Sequence, residues 1–360
     1  MTKRIVVLGL GRIGGAIGQI LSQHKNYEVV GADINLKTIQ HYSQFFPTQL
    51  IENNDFSSIL ANQDAVVSAL SFKHNPEVAK AALKSGCSYF DLTEDIRSTK
   101  AIKEIALQAA QGQVFMPQCG LAPGFIGILA HSFVNLFDKL DTLKLRVGAL
   151  PEVTANQMMF NLTWSTEGLI NQYARPCEAI KNHQRTLIEP LEGHEVFRIS
   201  GIEYEAFNTS GGLANLGYAF DGKLRELTYK TIRYPGHCQL MKFLFHDLRL
   251  GEEGNNRNML KNILEGAVAT TAQDFVLISV IATGYVGEKL QQRTRTFFLR
   301  HTARQSAIQI ATASAAVAAL DLILQDKNQR SGFVEQEILD IDAFLSNEFA
   351  KPYFDAELTI

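Results

Sequence analysis

Six residues near the start of the chain, Gly9-Leu10-Gly11-Arg12-Ile13-Gly14, have the types and spacing to hold a diphosphate. Gly9 would allow a tight turn, Gly11 would let the backbone approach a pyrophosphate, and Gly14 would let a helix pack closely on a strand. The helix that follows would offer unpaired N–H groups and a partial positive charge to the phosphates. Asp33, nineteen residues after Gly14, stands where a carboxylate accepts hydrogen bonds from an adenosine ribose. A 2′-phosphate ~4 Å from it would meet roughly 1–4 kcal/mol of repulsion per pair of unit charges, which favours NAD over NADP. Arg12 and Lys37 could soften that preference.

The elements that must position these residues are a strand and a helix on either side of the turn. KRIVVL (3–8) is a short apolar run, and Ile13, Ile17 and Leu21 share one helical face. EVVGAD makes the next strand, so Ile34 should lie beside Asp33 at the adenosine end. Further strands are expected at 49–51, 64–70, 87–92 and 113–117, alternating with helices, and this pattern makes a parallel, doubly wound sheet of the Rossmann type. Ligands bind outside the carboxyl ends of such strands, so Ala69, Leu70 and Ser71, and later Cys119 and Gly120, should border the cofactor.

Beyond Phe125–Phe137, an apolar helix, the pattern changes to long β-type runs: LDTLKLRVGAL, EVFRISGIEYEAF, LRELTYKTIRY, FVLISVIATGYV and TRTFFLR. Several alternate in polarity, as in an antiparallel sheet with one face covered. GEKLQQ is expected to be the turn between the last two. Residues 125–303 thus form an α+β domain with a mainly antiparallel sheet. Residues 1–124 and 304–360 form a discontinuous dinucleotide domain, with an Ala-rich helix from Ser306 returning to it. Phe344, Phe349 and Tyr353 should pack there too.

Composition narrows the class. At 360 residues two domains are expected, and 46% hydrophobic with 20% charged residues is ordinary for a globular protein. A net charge of −3 gives no reason to expect nucleic acid or an anionic membrane as partner. The four cysteines lie far apart, without CxxC or zinc-finger spacing, and the scattered histidines suggest no metal. A reduced, cytoplasmic protein without a signal peptide fits these features, and exposed β-edges in the second domain would suit a homodimer. IQIATASAAVAALDLIL (308–324) is expected to be a buried helix rather than a membrane span.

Polar residues gather in four further places: Tyr89, Asp91, Thr93 and Glu94; Cys119–Gly124; Asn161–Gly168; and Thr231–His237. With the glycine turn, Tyr89-Phe90-Asp91-Leu92, Gly120-Leu121-Ala122-Pro123-Gly124, Trp164-Ser165-Thr166-Glu167-Gly168 and Arg233-Tyr234-Pro235-Gly236-His237 occur in an order that resembles the saccharopine dehydrogenase-like family, most of all its lysine 6-dehydrogenase branch. The resemblance covers nearly the whole chain. It implies hydride transfer between NAD(P) and the carbon bearing the amino group of an ω-amino acid or its imine adduct. Saccharopine reductases of the family often carry Asp where this chain has Ala122, a departure from that branch.

Such chemistry asks for a cation to hold the substrate carboxylate, a carboxylate to hold its ammonium, and a group to manage a proton. Arg233 suits the first by a bidentate grip; the alternative is an ion pair inside the domain. Asp91 and Glu167 suit the second, or else cap helices. His237 suits the third, since its unperturbed pKa lies near neutrality; the alternative is a structural histidine. Tyr89, Glu94, Trp164, Thr166 and Thr231 are expected around the substrate, with Trp164 equally able to be a core aromatic. Cys119 lacks an activating neighbour. Two other readings stand beside the lysine dehydrogenase. One is a saccharopine- or carboxyspermidine-type reductase, and the other a catalytically silent NAD-binding sensor or scaffold.

Overall fold

A computed structural model describes residues 2–53, 55–326 and 330–358. The chain divides into two compact units, Met1–Ile128 with Gln309–Phe354, and Leu129–Ile308 with Asp355–Ile360.

The first unit is built on a parallel sheet. Its strands are β1 (Lys3–Leu8), β2 (Tyr27–Asp33), β3 (Thr48–Leu50), β4 (Ala65–Ser68), β5 (Ser88–Asp91) and β6 (Val114–Met116), joined by Gly332–Phe333 from the far end of the sequence. Across the sheet the order is Gly332–Phe333, β6, β5, β4, β1, β2, β3, and every neighbouring pair is parallel. The order therefore reverses between β1 and β4, the switch point at which doubly wound sheets bind ligands. Ile5, Val6, Val7 and Leu8 are completely buried, because a central parallel strand is covered on both faces.

Local chemistry sets the helices. In helix Arg12–Ser22, Ala16, Ile17 and Leu21 are buried, while Gly15 and Gly18 leave room for the Tyr42 and Phe46 rings. Asn35, Asp55 and Asp95 each cap a helix by accepting from backbone N–H groups. Helix Asn75–Ser85 carries Pro76 in its first turn and ends on left-handed Gly86.

The returning segment is tied to this unit by buried groups. Helix Ala307–Leu324 is long and apolar enough to cross a membrane by length and composition, and 67% of it is buried within the fold. The Tyr353 hydroxyl donates to the Ala311 carbonyl (2.8 Å), and the Tyr353 and Phe125 ring centroids lie 4.0 Å apart. Asp321, also buried, accepts from the Tyr27 hydroxyl, from Asn347 Nδ2 (2.6 Å) and from Gln325 Nε2 (2.7 Å).

The second unit holds an eight-stranded mixed sheet. Its strands are β7 (Lys139–Pro151), β8 (Cys177–Lys181), β9 (Gln184–Ile188), β10 (Glu195–Ile199), β11 (Ile202–Asn208), β12 (Glu226–Arg233), β13 (Asp274–Val286) and β14 (Lys289–Arg300). The main path runs β10-β11-β12-β7-β13-β14, with β8 on β12 and β9 on β8; β12 and β7 are parallel and the other pairs antiparallel.

Three details differ from the sequence reading. The β13–β14 turn is only Gly287-Glu288: Val286 pairs with Lys289, so most of GEKLQQ is strand. EVFRISGIEYEAF is two strands, folded back at Ser200-Gly201, both with positive φ. The extreme C-terminus departs from the segment 304–360. Arg295 grips Glu357 through Nε and Nη2 (2.5 and 2.8 Å), and Leu358 N–H donates to the Thr296 carbonyl (2.8 Å). An edge strand with unpaired carbonyls and a matching arginine draws these residues to the second unit.

Candidate functional site

In the first unit the glycine turn forms a cradle that side chains would fill. Gly9 has φ +86°, and a Cβ there would lie 2.9 Å from both the Ala69 carbonyl oxygen and Leu70 Cδ2. A Cβ on Gly14 would collide with the Gly9 carbonyl oxygen, so the turn and the helix can touch only without one. Gly11 differs: nothing lies within 4 Å of its Cβ position, and no side chain caps the helix it opens. That leaves the first turn of the helix for an anion. Arg12 is exposed and Ile13 half-buried in that turn.

Asp33 holds the site together. Its Oδ2 accepts from Leu10 N–H (2.7 Å) and its Oδ1 from Asn35 N–H (2.8 Å), which joins the glycine turn to the end of β2. Each oxygen keeps a second lone pair for a ribose hydroxyl. Ile34 beside it is exposed; Ala69 and Leu70 are half-buried and Ser71 exposed after β4. The residues present fit an adenine dinucleotide.

The carboxyl ends of β4, β5 and β6 are fastened by Asp91. Its Oδ1 accepts from the N–H groups of Thr93 (3.0 Å) and Gln118 (2.9 Å), and its Oδ2 from Tyr89 Oη (2.7 Å) and Asn75 Nδ2 (3.1 Å). Asn75 in turn accepts from Ser68 Oγ (2.8 Å). Burial pushes the Asp91 carboxyl up to about 6 against these donors. This corrects the expected role: a fully buried carboxylate with four donors has no capacity left for a substrate ammonium, and it serves as a brace. Tyr89, expected around the substrate, is likewise fully buried, with its hydroxyl committed to Asp91. Glu94 is half-buried in the loop beyond. Cys119 is buried, with Sγ–H donating to the Met116 carbonyl (3.0 Å) and Gly120 buried next to it. Burial and Asp91 raise the thiol well above its ordinary pKa, so it is not a nucleophile.

The second unit holds a polar cluster around Arg233, at the end of β12. The guanidinium is only 3% exposed and lies over the Phe160 ring, with Cζ 5.2 Å from the centroid. Nε donates to Tyr173 Oη (3.1 Å), and Nη1 donates to the carbonyls of Ile232 (2.9 Å) and Ala149 (3.4 Å). Among the described residues no carboxylate pairs with it and nothing accepts from Nη2. Glu205, its register partner on β11, turns instead to the Arg-Tyr-Pro-Gly-His turn, accepting from Gly236 N–H (2.9 Å) and Cys238 N–H (2.6 Å). The internal ion pair is thus not formed, and the fork expected for a bidentate grip is reduced to Nη2.

His237 is fully buried among Phe160, Tyr173 and Phe207. Its Nδ1 lies 2.9 Å from the Met158 carbonyl and its Nε2 3.1 Å from Tyr173 Oη. Burial and the Arg233 charge push its pKa down to about 3. This corrects its expected role as proton handler: the ring stays neutral at physiological pH and both nitrogens are engaged. Thr231 is buried, its hydroxyl 2.7 Å from that of Thr209. Ser165 caps helix Thr166–Ala174 by accepting from Gly168 N–H (3.2 Å). Thr166 is buried there and Glu167 exposed in the first turn, where a negative charge suits the helix dipole. Trp164 is half-buried, packs against the core cluster that includes Phe160 and Tyr173, and covers Gly168, so it is part of the core edge.

Sequence reading missed Tyr173, Glu205, Asn75 and Gln118. The signals were weak: Tyr173 sits in the last turn of its helix without a motif, and Glu205 shows only as an acidic residue in an alternating strand.

Two family models match. Residues 5–115 match the saccharopine dehydrogenase NADP binding domain and residues 120–356 the saccharopine dehydrogenase C-terminal domain. The mitochondrial alpha-aminoadipic semialdehyde synthase of Rattus norvegicus is 25% identical over 194 residues, 50% of this chain and 20% of that protein. The chain thus spans about a fifth of the length of that relative. Apo saccharopine dehydrogenase (L-Glu forming) from Saccharomyces cerevisiae superposes with a TM-score of 0.82 at 15% identity, covering 99% of both chains. Homospermidine synthase from Legionella pneumophila, in complex with NAD, gives 0.68 at 15% identity over 98% of this chain and 90% of that one.

Proposed function

The chain belongs to the saccharopine dehydrogenase family, and from that premise we propose that it is an NAD-dependent oxidoreductase acting at the C–N bond of lysine or a related ω-amino acid. The observation that carries this reading is Arg233, a buried guanidinium with no counter-carboxylate among the described residues. Removing a cation from water costs several kcal/mol unless an anion or hydrogen bonds offset it. Arg233 has the hydrogen bonds and lacks the anion, so a ligand carboxylate on Nη2 completes it.

Bound NAD supplies the hydride acceptor. The chain's own residues do the rest. Gly9, Gly11 and Gly14 admit the diphosphate, and Asp33 takes the ribose hydroxyls and repels a 2′-phosphate. Arg233 holds the substrate carboxylate. Glu167, exposed at the start of its helix, is the carboxylate left for the ammonium, because Asp91 is spent as a brace.

The test is a panel of L-lysine, ornithine, other ω-amino acids and saccharopine with the purified chain, each with NAD and with NADP, followed at 340 nm. L-lysine with NAD should show the highest kcat/KM, with ammonia released in step with NADH. Turnover of saccharopine alone would move the activity to that branch. NAD binding without turnover of any of these compounds would leave a sensor or scaffold.

A further inference from the structure

We infer that Tyr173 and His237 are positioning residues: one directional chain of hydrogen bonds through them fixes the Arg233 guanidinium so that Nη2 is the edge offered to a carboxylate. This deepens the reading of Arg233 proposed above and rests on it for the identity of the ligand.

The direction follows from donor counting. The Met158 carbonyl can only accept, so Nδ1 of His237 carries the ring proton. Nε2 of the neutral ring is then acceptor only, and the single Tyr173 hydroxyl proton goes to it. That leaves the Tyr173 oxygen as acceptor, which is what Arg233 Nε–H requires at 3.1 Å. With Nη1 spent on Ile232 and Ala149, the guanidinium cannot rotate without losing a buried hydrogen bond. A second proton on His237 would reverse the Tyr173 hydroxyl, which would then have to accept from two cations and donate to nothing.

The groups around His237 agree with a neutral ring. Phe160 and Phe207 give it apolar faces; the titratable or charged neighbours are Tyr173, Arg233, Cys238 and Glu205. Glu205, the acidic one, is committed to the amides of Gly236 and Cys238 and to His194 Nε2 (3.1 Å). His237 thus acts through Tyr173 rather than on a reacting atom.

Two measurements test this, one without substrate. In 15N spectra of the intact, histidine-labelled chain, His237 should be the Nδ1–H tautomer and should not titrate between pH 5 and 8. An Nε2–H tautomer, or a titration in that window, would overturn the chain's direction. The second is steady-state kinetics with L-lysine and NAD. Tyr173→Phe keeps the ring and removes the relay, so KM for lysine should rise ~10-fold or more while kcat changes less than ~3-fold and KM for NAD stays put. His237→Gln, which keeps an acceptor for Tyr173, should lie closer to the parent than His237→Leu and keep the parent's pH profile. An unchanged lysine KM in Tyr173→Phe, or loss of a near-neutral limb in His237→Gln, would refute a positioning role. Melting temperatures separate these effects from misfolding. A parent inactive on every ω-amino acid would sink the proposed function, while the tautomer measurement would still decide the hydrogen-bond chain.

Discussion

At the scale of residues, two carboxylates carry opposite charges of meaning. Asp33 is half-buried with lone pairs to spare, whereas Asp91 is buried with none. Asp33→Asn removes the charge that repels a 2′-phosphate, so the NAD/NADP ratio of kcat/KM should fall ~10-fold, equivalent to ~1.4 kcal/mol. An unchanged ratio would mean that the ribose lies elsewhere. Asp91 makes a pH prediction. Its folded pKa of about 6 lies above its unfolded value, so its contribution to stability is complete below pH ~4 and is lost as pH rises through 6. The shift corresponds to at most about 3 kcal/mol. Denaturant melts at pH 4.5 and 7.5 should show Asp91→Asn narrowing the difference between the two pH values. The same difference in both proteins would deny Asp91 an elevated pKa. Residue types were legible in the sequence, but their burial was not. Asp91 and His237 looked reactive because composition cannot show that four donors surround one and three aromatic rings the other.

At the scale of elements, the strand–turn–helix unit separates folding from binding. Gly14→Ala places a methyl against the Gly9 carbonyl oxygen and should cost roughly 1–3 kcal/mol as well as cofactor affinity. Gly11→Ala meets nothing within 4 Å, so stability should stay within about 0.5 kcal/mol. Titration with NADH should nevertheless show weakened binding, since the methyl stands where a pyrophosphate must approach. Unchanged NADH affinity in Gly11→Ala would place the diphosphate away from this turn. This unit was readable from sequence because spacing, apolar runs and glycines agreed. Strand Gly332–Phe333 was not, for two residues carry no periodicity, and the β8–β9 hairpin is polar on its exposed strand.

At the scale of the whole molecule, residues distant in sequence complete each unit. Phe344 is fully buried beside Phe125, 219 positions earlier in the chain, with ring centroids 5.4 Å apart. Phe344→Ala should cost about 3–5 kcal/mol and lower the melting temperature of the unit that carries the glycine turn. A melting temperature within a degree of the parent would show that this segment adds little to the fold. The returning helix was expected because an Ala-rich apolar segment needs a face to cover, whereas the crossing of Glu357 to β14 depended on Arg295, which only three dimensions reveal. The proposed activity depends on Arg233 taking a carboxylate, and comparing L-lysine with cadaverine, which lacks only that group, tests it most directly. NADH formation by the parent chain should favour lysine by ~100-fold or more in kcat/KM, and Arg233→Met should erase most of that preference, as expected when one partner of a buried charge pair is lost. Equal use of the two amines by the parent, or a lysine preference that survives in Arg233→Met, would contradict it.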